Sequence, residues 1–190
     1  SHLCEVLVKD FKIVVFDSLK RNALKSSTVH NHSNIELIQG DIRNSADLER
    51  AACDVQAVIH CAAIAGIDSV GVNPLDTLEV NLMGTQNLLQ AVKGKKLSRF
   101  IQFSTSEVYG PYIFKGTEND LTSQGPTKQV RWTYAVSKLA AEHLAFAYHT
   151  QHGLPVVSVR PFNIYGPRQV GEGAIQKFIQ NAVENKDLMI

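Results

Sequence analysis

The chain has 190 residues, of which 44% are hydrophobic and 19% charged, and its formal net charge is +1. This balance predicts a globular protein with a real core and gives no electrostatic argument for binding nucleic acid or an anionic membrane. No apolar segment of membrane length occurs in the sequence, and its histidines form no HExxH or Cys/His cluster, so no metal site is predicted. The three cysteines are odd in number and lack metal-ligand spacing, which favours a reducing, cytoplasmic setting.

Short apolar runs alternate with longer amphipathic segments along the chain. The predicted strands are Lys12–Phe16, Ile35–Gln39, Ala57–Cys61, Arg99–Ser104 and Val156–Arg160. The predicted helices are Leu3–Lys9, Ser45–Ala52, Pro74–Val92, Thr133–His152 and Gly173–Asn185. This alternation is typical of right-handed βαβ crossovers, so we expect the α/β class with a doubly wound, Rossmann-like parallel sheet.

Two predicted boundaries depend on turn chemistry. Asn73 and Pro74 offer a cap residue and a first-turn proline for the third helix. The segment Gly110–Arg131 contains Gly, Pro, Thr and Asn and is predicted to be a loop. A loop of that length inside a compact domain is more often functional than not.

Acidic residues follow the first two predicted strands, at the edge where a doubly wound sheet binds its cofactor. Asp17 is placed to accept both hydroxyls of an adenosine ribose, which favours NAD over NADP, or it is a carboxylate that merely opens a loop. Asp41 and Ile42 are placed to line the adenine, with Asp41 accepting from the exocyclic amine.

Tyr134 and Lys138 stand one helical turn apart, so both side chains project from the same face of the predicted helix. The ordinary pKa of a phenol is about 10. A neighbouring ammonium favours the phenolate and lowers that pKa. The pair can therefore accept a proton from a sugar or alcohol hydroxyl. The same spacing also occurs by chance on solvent-facing helices, but the hydroxyl cluster Ser104-Thr105-Ser106 after an apolar run strengthens the hypothesis.

Several segments, in order along nearly the whole chain, resemble the extended short-chain dehydrogenase/reductase family of NAD-dependent nucleotide-sugar epimerases, dehydratases and decarboxylases. They are VVFDSL, QGDIRN, VIHCAAIAG, NPLDTLEVNLMGTQNLLQAV, FSTSEVYG, YAVSK and VRPFNIYGPRQ. The resemblance implies that Tyr134 is the catalytic base and that Lys138 binds the nicotinamide ribose. It also implies that Thr105 hydrogen-bonds the reacting sugar hydroxyl.

The same resemblance implies further roles around the cofactor and the substrate. Ala62 and Ala63 are similar to the small residues that let the cofactor pass close to the backbone. Asn163 is similar to the asparagine that contacts the substrate near its diphosphate. Asn81 has a supporting role or is an ordinary helix-packing amide. Family members often form dimers through helices that correspond to Pro74–Val92 and Thr133–His152, although both are also plausible core helices.

One feature of the family is missing, since no GxGxxG or GxxGxxG motif precedes any predicted strand. Ser1–Leu7 looks like the inside of a first helix, which normally follows the phosphate-binding turn. We therefore expect residues 1–190 to be one NAD-binding Rossmann-like domain, an internal fragment of a longer enzyme. It would lack the first strand and the C-terminal substrate-binding portion.

The triplet Thr105-Ser106-Glu107 bears on the reaction. It resembles triplets of nucleotide-glucuronate decarboxylases and GDP-mannose-type dehydratases, with Ser106 toward the substrate. After oxidation to a 4-keto sugar, Glu107 is placed to remove the C5 proton so that water is lost, whereas a 4-keto hexuronate loses carbon dioxide. Glu107 as a plain surface carboxylate is the alternative. We therefore expect an NAD-dependent nucleotide-sugar dehydratase or decarboxylase; the alternatives are a 4-epimerase of the same family and a non-catalytic truncated paralogue.

Overall fold

A computed structural model of the chain describes residues 1–170 and 173–188. The chain forms two compact units, Ser1–Gln39 with Ile164–Ile190, and Gly40–Asn163, and each contains its own parallel sheet. In chain order the regular elements are α1 (His2–Leu7), β1 (Ile13–Asp17), β2 (Ile35–Gln39), α2 (Ser45–Ala51), β3 (Ala57–His60), α3 (Ile67–Val72), α4 (Pro74–Leu78), a π-helical turn (Glu79–Met83), α5 (Gly84–Val92), β4 (Arg99–Phe103), two 3₁₀ turns (Ser106–Tyr109 and Val130–Trp132), α6 (Thr133–His152), β5 (Val156–Val159) and α7 (Ala174–Val183).

The first unit is built on two strands. β1 and β2 pair in parallel, with Ile13 opposite Ile35 at one end and Asp17 opposite Gln39 at the other. Glu5 of α1 forms an ion pair with Arg168, which joins the two chain segments of this unit. Asp17 therefore stands at the carboxyl end of a parallel strand, as predicted.

The second unit contains a three-stranded parallel sheet in the order β3-β4-β5, with Phe100 paired to Val58 on one side and to Val156 on the other. Parallel neighbours need long crossovers, and helices supply them. α3, α4 and α5 lie between β3 and β4 in the chain, and α6 lies between β4 and β5. The side chains without solvent exposure, which form the core of this unit, include Phe100, Leu89, Val92, Ala141 and Ala145.

The structure confirms the Rossmann-like class, the five strands and the five helices, with shifts of one or two residues at their ends. The loop after Gly110 is confirmed as far as the 3₁₀ turn at Val130–Trp132. Helix α3 was not predicted, because its sequence IDSVGV holds a glycine and β-branched residues, all weaker helix formers than alanine or leucine.

The segment Pro74–Val92 is helical throughout, but a π-helical turn at Glu79–Met83 interrupts its α-helical hydrogen bonding. Pro74 occupies the first turn, as predicted. Asn73 is the N-cap residue, as predicted, although its side chain makes no capping bond; its backbone carbonyl accepts bonds from the N–H and hydroxyl of Thr77. π-Helical turns are frequent at functional sites, and this one contains Asn81.

Candidate active site

Tyr134 and Thr105 come together in the second unit, through a hydrogen bond between their side chains. Tyr134 lies in the first turn of α6, whereas Thr105 follows β4 and is almost fully buried. The hydroxyl oxygen of Thr105 also accepts the backbone N–H of Glu107 at 3.3 Å, capping the 3₁₀ turn. The parallel sheet thus brings the predicted hydroxyl cluster to the predicted tyrosine.

Lys138 lies one turn further along α6 and is only 2% exposed. Burial lowers the pKa of its ammonium to about 8, and the negative charges of Cys61 and Glu142 oppose that shift. No hydrogen bond is among the causes of this shift. A buried ammonium is expected to attract a hydroxyl-bearing ligand that can accept its hydrogen bonds.

The pKa of Tyr134 differs from the expectation. Burial raises it above its ordinary value, the Glu107 carboxylate raises it further, and the hydrogen bond from Thr105 lowers it. The lowering that was expected from Lys138 is not seen. The Lys138 ammonium, whose pKa is about 8, loses its charge at a lower pH than the one at which the buried phenol ionises, so it does not stabilise the phenolate there.

Glu107 follows Thr105 by two residues and stays in contact with solvent. Its partial burial raises the pKa of its carboxyl, while the Arg131 guanidinium lowers it. Arg131 lies over the ring of Trp132, 4.8 Å from the ring centroid. A carboxylate whose pKa is raised is a better general base than an ordinary one.

A cavity of about 710 Å³ opens beside this group and brings together three residues predicted to meet the substrate, Ser106, Glu107 and Asn163. The long loop after β4 forms much of its wall. The other lining residues are Ile67, Gly110, Pro111, Tyr112, Ile113, Phe114 and Phe162. Several of these are apolar, and the cavity has the size and mixed lining of a small-molecule site.

Asn81, which has no solvent exposure, links this site to the loop after β3. Its side-chain oxygen accepts the N–H of Ile64 at 2.7 Å, and its amide donates to the Ile64 carbonyl at 3.0 Å and to the Ser137 hydroxyl at 3.0 Å. The Ser137 hydroxyl donates in turn to the backbone carbonyl of Tyr134 at 2.7 Å. Asn81 is therefore more than an ordinary packing amide, since it fixes both the loop and the tyrosine helix.

His60 is a packed, hydrogen-bonded histidine. Its Nε2 lies 2.8 Å from the hydroxyl oxygen of Thr85, whose own proton is donated to the Asn81 carbonyl at 2.6 Å. His60 must therefore donate from Nε2. Burial, together with the charge of Lys138, lowers its pKa to about 3.

Asp41 and Ile42 lie in the turn after β2. The Asp41 carboxylate forms a two-pronged ion pair with Arg43, with its shortest contact at 2.7 Å. The Ile42 side chain is buried against Gly84, whereas its backbone N–H makes no hydrogen bond in the described part of the chain. An acceptor carboxylate and an open N–H one residue apart match the donor and acceptor edge of an adenine.

The remaining predicted cofactor residues lie in different units. Asp17, in the first unit, is exposed, and its carboxylate accepts the backbone N–H of Leu19 at 2.6 Å. Ala62 and Ala63, in the second unit, are half-buried in the loop after β3, next to the Ile64 backbone that Asn81 holds. The roles assigned to these three residues stay predictions.

Ser137 and Arg43 were missed by the sequence reasoning. Ser137 follows Tyr134 by three residues, so helical spacing alone could have placed it on the same side of α6. Arg43 follows the predicted adenine residues directly, but two of its three carboxylate partners, Asp76 and Glu79, lie more than thirty positions away in the chain. Across the described ranges no group of three or more His, Cys, Asp or Glu side chains is placed to hold a metal ion, and each helix is too short or too polar to cross a bilayer.

Comparison with known proteins decides the family. The model of the NAD dependent epimerase/dehydratase family matches residues 1–190. The chain belongs to this family. It is 37% identical over 197 residues to a UDP-N-acetyl-alpha-D-glucosaminuronate decarboxylase of Bacillus cytotoxicus, and 36% identical over 197 residues to a human dTDP-D-glucose 4,6-dehydratase. A solved structure of a Bacillus cereus UDP-glucuronic acid 4-epimerase in complex with NAD superposes with a TM-score of 0.86 at 35% identity.

These matches include the whole chain but only part of each relative. The chain spans 60% of the decarboxylase, 55% of the dehydratase and 61% of the epimerase. The three relatives carry out three different reactions in one family, so family membership alone does not choose among decarboxylation, dehydration and epimerisation.

Proposed function

We propose that the protein is an NAD-dependent nucleotide-sugar dehydratase or decarboxylase that acts through a 4-keto-sugar intermediate. The proposal rests on the grouping of Tyr134, Thr105 and Lys138. Glu107 lies beside this group and lines a cavity together with Ser106 and Asn163. A protein without chemistry has no use for a buried lysine one turn from a phenol bonded to a threonine hydroxyl, and this argues against the non-catalytic alternative.

The residues present fit the cofactor. The buried Lys138 ammonium is suited to the hydroxyls of the nicotinamide ribose, while Asp41 and the Ile42 N–H are suited to the adenine edge. Ala62 and Ala63 would lie along the cofactor, and Asp17 would take the adenosine ribose. When bound, NAD supplies the acceptor for the hydride leaving sugar C4, together with a positive charge near the phenol.

Tyr134 acts as the general base that accepts the proton from sugar O4. Thr105 holds the sugar hydroxyl and also stabilises the phenolate, because its hydrogen bond is the contact that lowers the pKa of Tyr134. A positioned general base of this kind contributes roughly 10²–10⁴-fold to a rate. In this proposal Glu107, whose carboxyl pKa is raised by burial, takes the C5 proton that must leave before water is lost.

Product analysis tests the proposal. Full-length protein is incubated with NAD and a panel of UDP-, dTDP- and GDP-sugars, and the products are examined by mass spectrometry. Loss of water indicates a dehydratase, loss of carbon dioxide a decarboxylase, and unchanged mass with altered chromatography the alternative 4-epimerase. Binding of NAD with no turnover of any sugar would contradict the enzyme proposal and support the non-catalytic alternative.

Two tyrosines of the same helix provide a matched pair of variants. Tyr134→Phe should abolish turnover, whereas Tyr148→Phe should retain it, because the exposed Tyr148 hydroxyl bonds Gln90 away from the cavity. Glu107→Gln separates the two favoured reactions. A dehydratase should then accumulate the 4-keto hexose without losing water, while a decarboxylase should still release carbon dioxide.

We also propose a homodimer formed by the helices Pro74–Val92 and Thr133–His152. The support is a set of exposed apolar side chains on them: Leu75, Leu78, Met83, Val136 and Phe146. Light scattering that finds a monomer at high concentration would contradict it.

A cytoplasmic location is proposed because all three cysteines, which lie within the described residues, are present as thiols. Cell fractionation checks this location.

A further inference from the structure

We infer that Arg43 is a positioning residue that aligns the Asp41 carboxylate for the amino group of adenine, and so sets the preference for an adenine dinucleotide. This inference rests on the proposed function, since it concerns how the same cofactor would be held. It adds to that function a residue, Arg43, that acts on the cofactor indirectly, by holding Asp41.

The contacts of Arg43 with Asp41 fix the direction of the carboxylate. The backbone N–H of Arg43 donates to Oδ1 at 2.9 Å, and Nε donates to Oδ1 at 3.0 Å and to Oδ2 at 3.2 Å. Nη2 completes the fork with a bond to Oδ2 at 2.7 Å. A planar guanidinium that holds both oxygens of a carboxylate defines its plane as well as its position, which an ammonium cannot do.

The other side of the same guanidinium is anchored on the helical segment that contains Asn81. Nη1 donates to Asp76 of α4 at 3.3 Å and to Glu79 of the π-helical turn at 3.2 Å. The Arg43 guanidinium therefore bridges three carboxylates, and these attractions raise its own pKa. The side chains of Arg43, Asp76 and Glu79 are each about one third to one half exposed, so each single ion pair is weak and their joint geometry matters more.

Three further contacts hold this turn. The Asn87 amide donates to the carbonyls of Ile42 at 3.3 Å and Arg43 at 3.0 Å, and the Ile42 side chain packs on Gly84. The turn is thus fixed before any ligand arrives, with the Ile42 N–H left open. Preorganised polar groups of this kind recognise a ligand at a smaller entropic cost than mobile ones.

The chemistry of the base supplies a test. Adenine presents an amino donor to a carboxylate, whereas hypoxanthine presents a carbonyl oxygen at the same place, which a carboxylate repels. A site built for the amino group should therefore discriminate against nicotinamide hypoxanthine dinucleotide. If Arg43 aligns Asp41, its removal should reduce this discrimination, and a merely structural role would weaken both dinucleotides alike.

The experiment measures the dissociation constants of NAD and nicotinamide hypoxanthine dinucleotide by calorimetry, for full-length wild-type protein, Arg43→Gln and Arg50→Gln. Arg50 is a matched control, because it is an exposed arginine that pairs with Asp47 within α2. We expect Arg43→Gln to reduce the preference for NAD roughly 5- to 20-fold, as for a lost hydrogen bond involving a charged group, with Arg50→Gln unchanged. Should Arg43→Gln fail to fold, Arg43→Lys is measured against the same criterion, because it keeps the charge but not the fork.

The outcomes separate this inference from the proposed function. Equal weakening of both dinucleotides, or no change, would overturn the role of Arg43 while leaving the proposed function standing. A wild-type protein that binds both dinucleotides equally would also overturn it, since no adenine preference would then exist. A wild-type protein that binds neither would overturn the proposed function and this inference together.

Discussion

Gly84, the first residue of α5, is a buried position at which one added methyl group should have a measurable cost. A Cβ added there would lie 2.4 Å from Cγ2 of Ile42, 3.2 Å from its Cγ1 and 3.3 Å from its Cβ. The first distance is far inside van der Waals contact. Ile42 is only 7% exposed and the Asn87 amide holds its carbonyl, so it has little room to move.

The expected magnitude combines two opposed effects. Overpacking a buried site costs about 1–3 kcal/mol. Replacing glycine by alanine inside a helix stabilises the folded state by about 0.5–1 kcal/mol, because alanine loses less backbone entropy on folding. Gly71→Ala serves as the control, because Gly71 is also helical and a Cβ there meets no atom within 4 Å. The difference in unfolding free energy between the two variants should therefore be about 1–3 kcal/mol, with Gly84→Ala the less stable.

Urea unfolding followed by circular dichroism measures this difference. Because Ile42 belongs to the proposed adenine site, Gly84→Ala should also weaken NAD binding, whereas Gly71→Ala should leave it unchanged. If Gly84→Ala were as stable as Gly71→Ala and bound NAD equally well, the close packing between this turn and α5 would not exist in solution.

Three further predictions concern the site. Asn81→Ala removes three buried hydrogen bonds and should lower the free energy of unfolding by about 2–4 kcal/mol; an unchanged urea midpoint would contradict this. Thr105→Val should raise the pKa of Tyr134, and Glu107→Gln should lower it, because each removes a contact that shifts it the other way. Ultraviolet titration against Tyr134→Phe checks both signs. His60 has a pKa of about 3 in the folded protein, against an ordinary value of 6.5. Between these two pH values the unfolded chain binds more protons at this residue. The contribution of His60 to stability is therefore complete above pH 6.5 and declines as the pH falls toward 3. His60→Gln should remove that part of the pH dependence of unfolding; an identical slope in wild type and variant would argue against it.

Periodicity and turn residues were sufficient to place the elements of this chain. Buried parallel strands give nearly continuous apolar runs such as that of β4, and Thr133–His152 carries a helical pattern long enough to be recognised from its residues. The helix at Ile67–Val72 was not predicted, because its glycine and β-branched residues are weak helix formers by local propensity.

The residues alone show which chemical groups are available: a phenol and an ammonium one helical turn apart, and a threonine-serine-glutamate triplet after an apolar strand. The electrostatics of these groups depend instead on how the chain packs. The pKa of Tyr134 is raised because the fold buries the phenol and brings Glu107 close to it, and the pKa of Lys138 is lowered because the fold desolvates it. The links from Asn81 to Ile64 and Ser137, and from Arg43 to Asp76 and Glu79, likewise join residues far apart in the chain. Desolvation and long-range contacts are properties of the packed chain, so no local pattern of residues carries them.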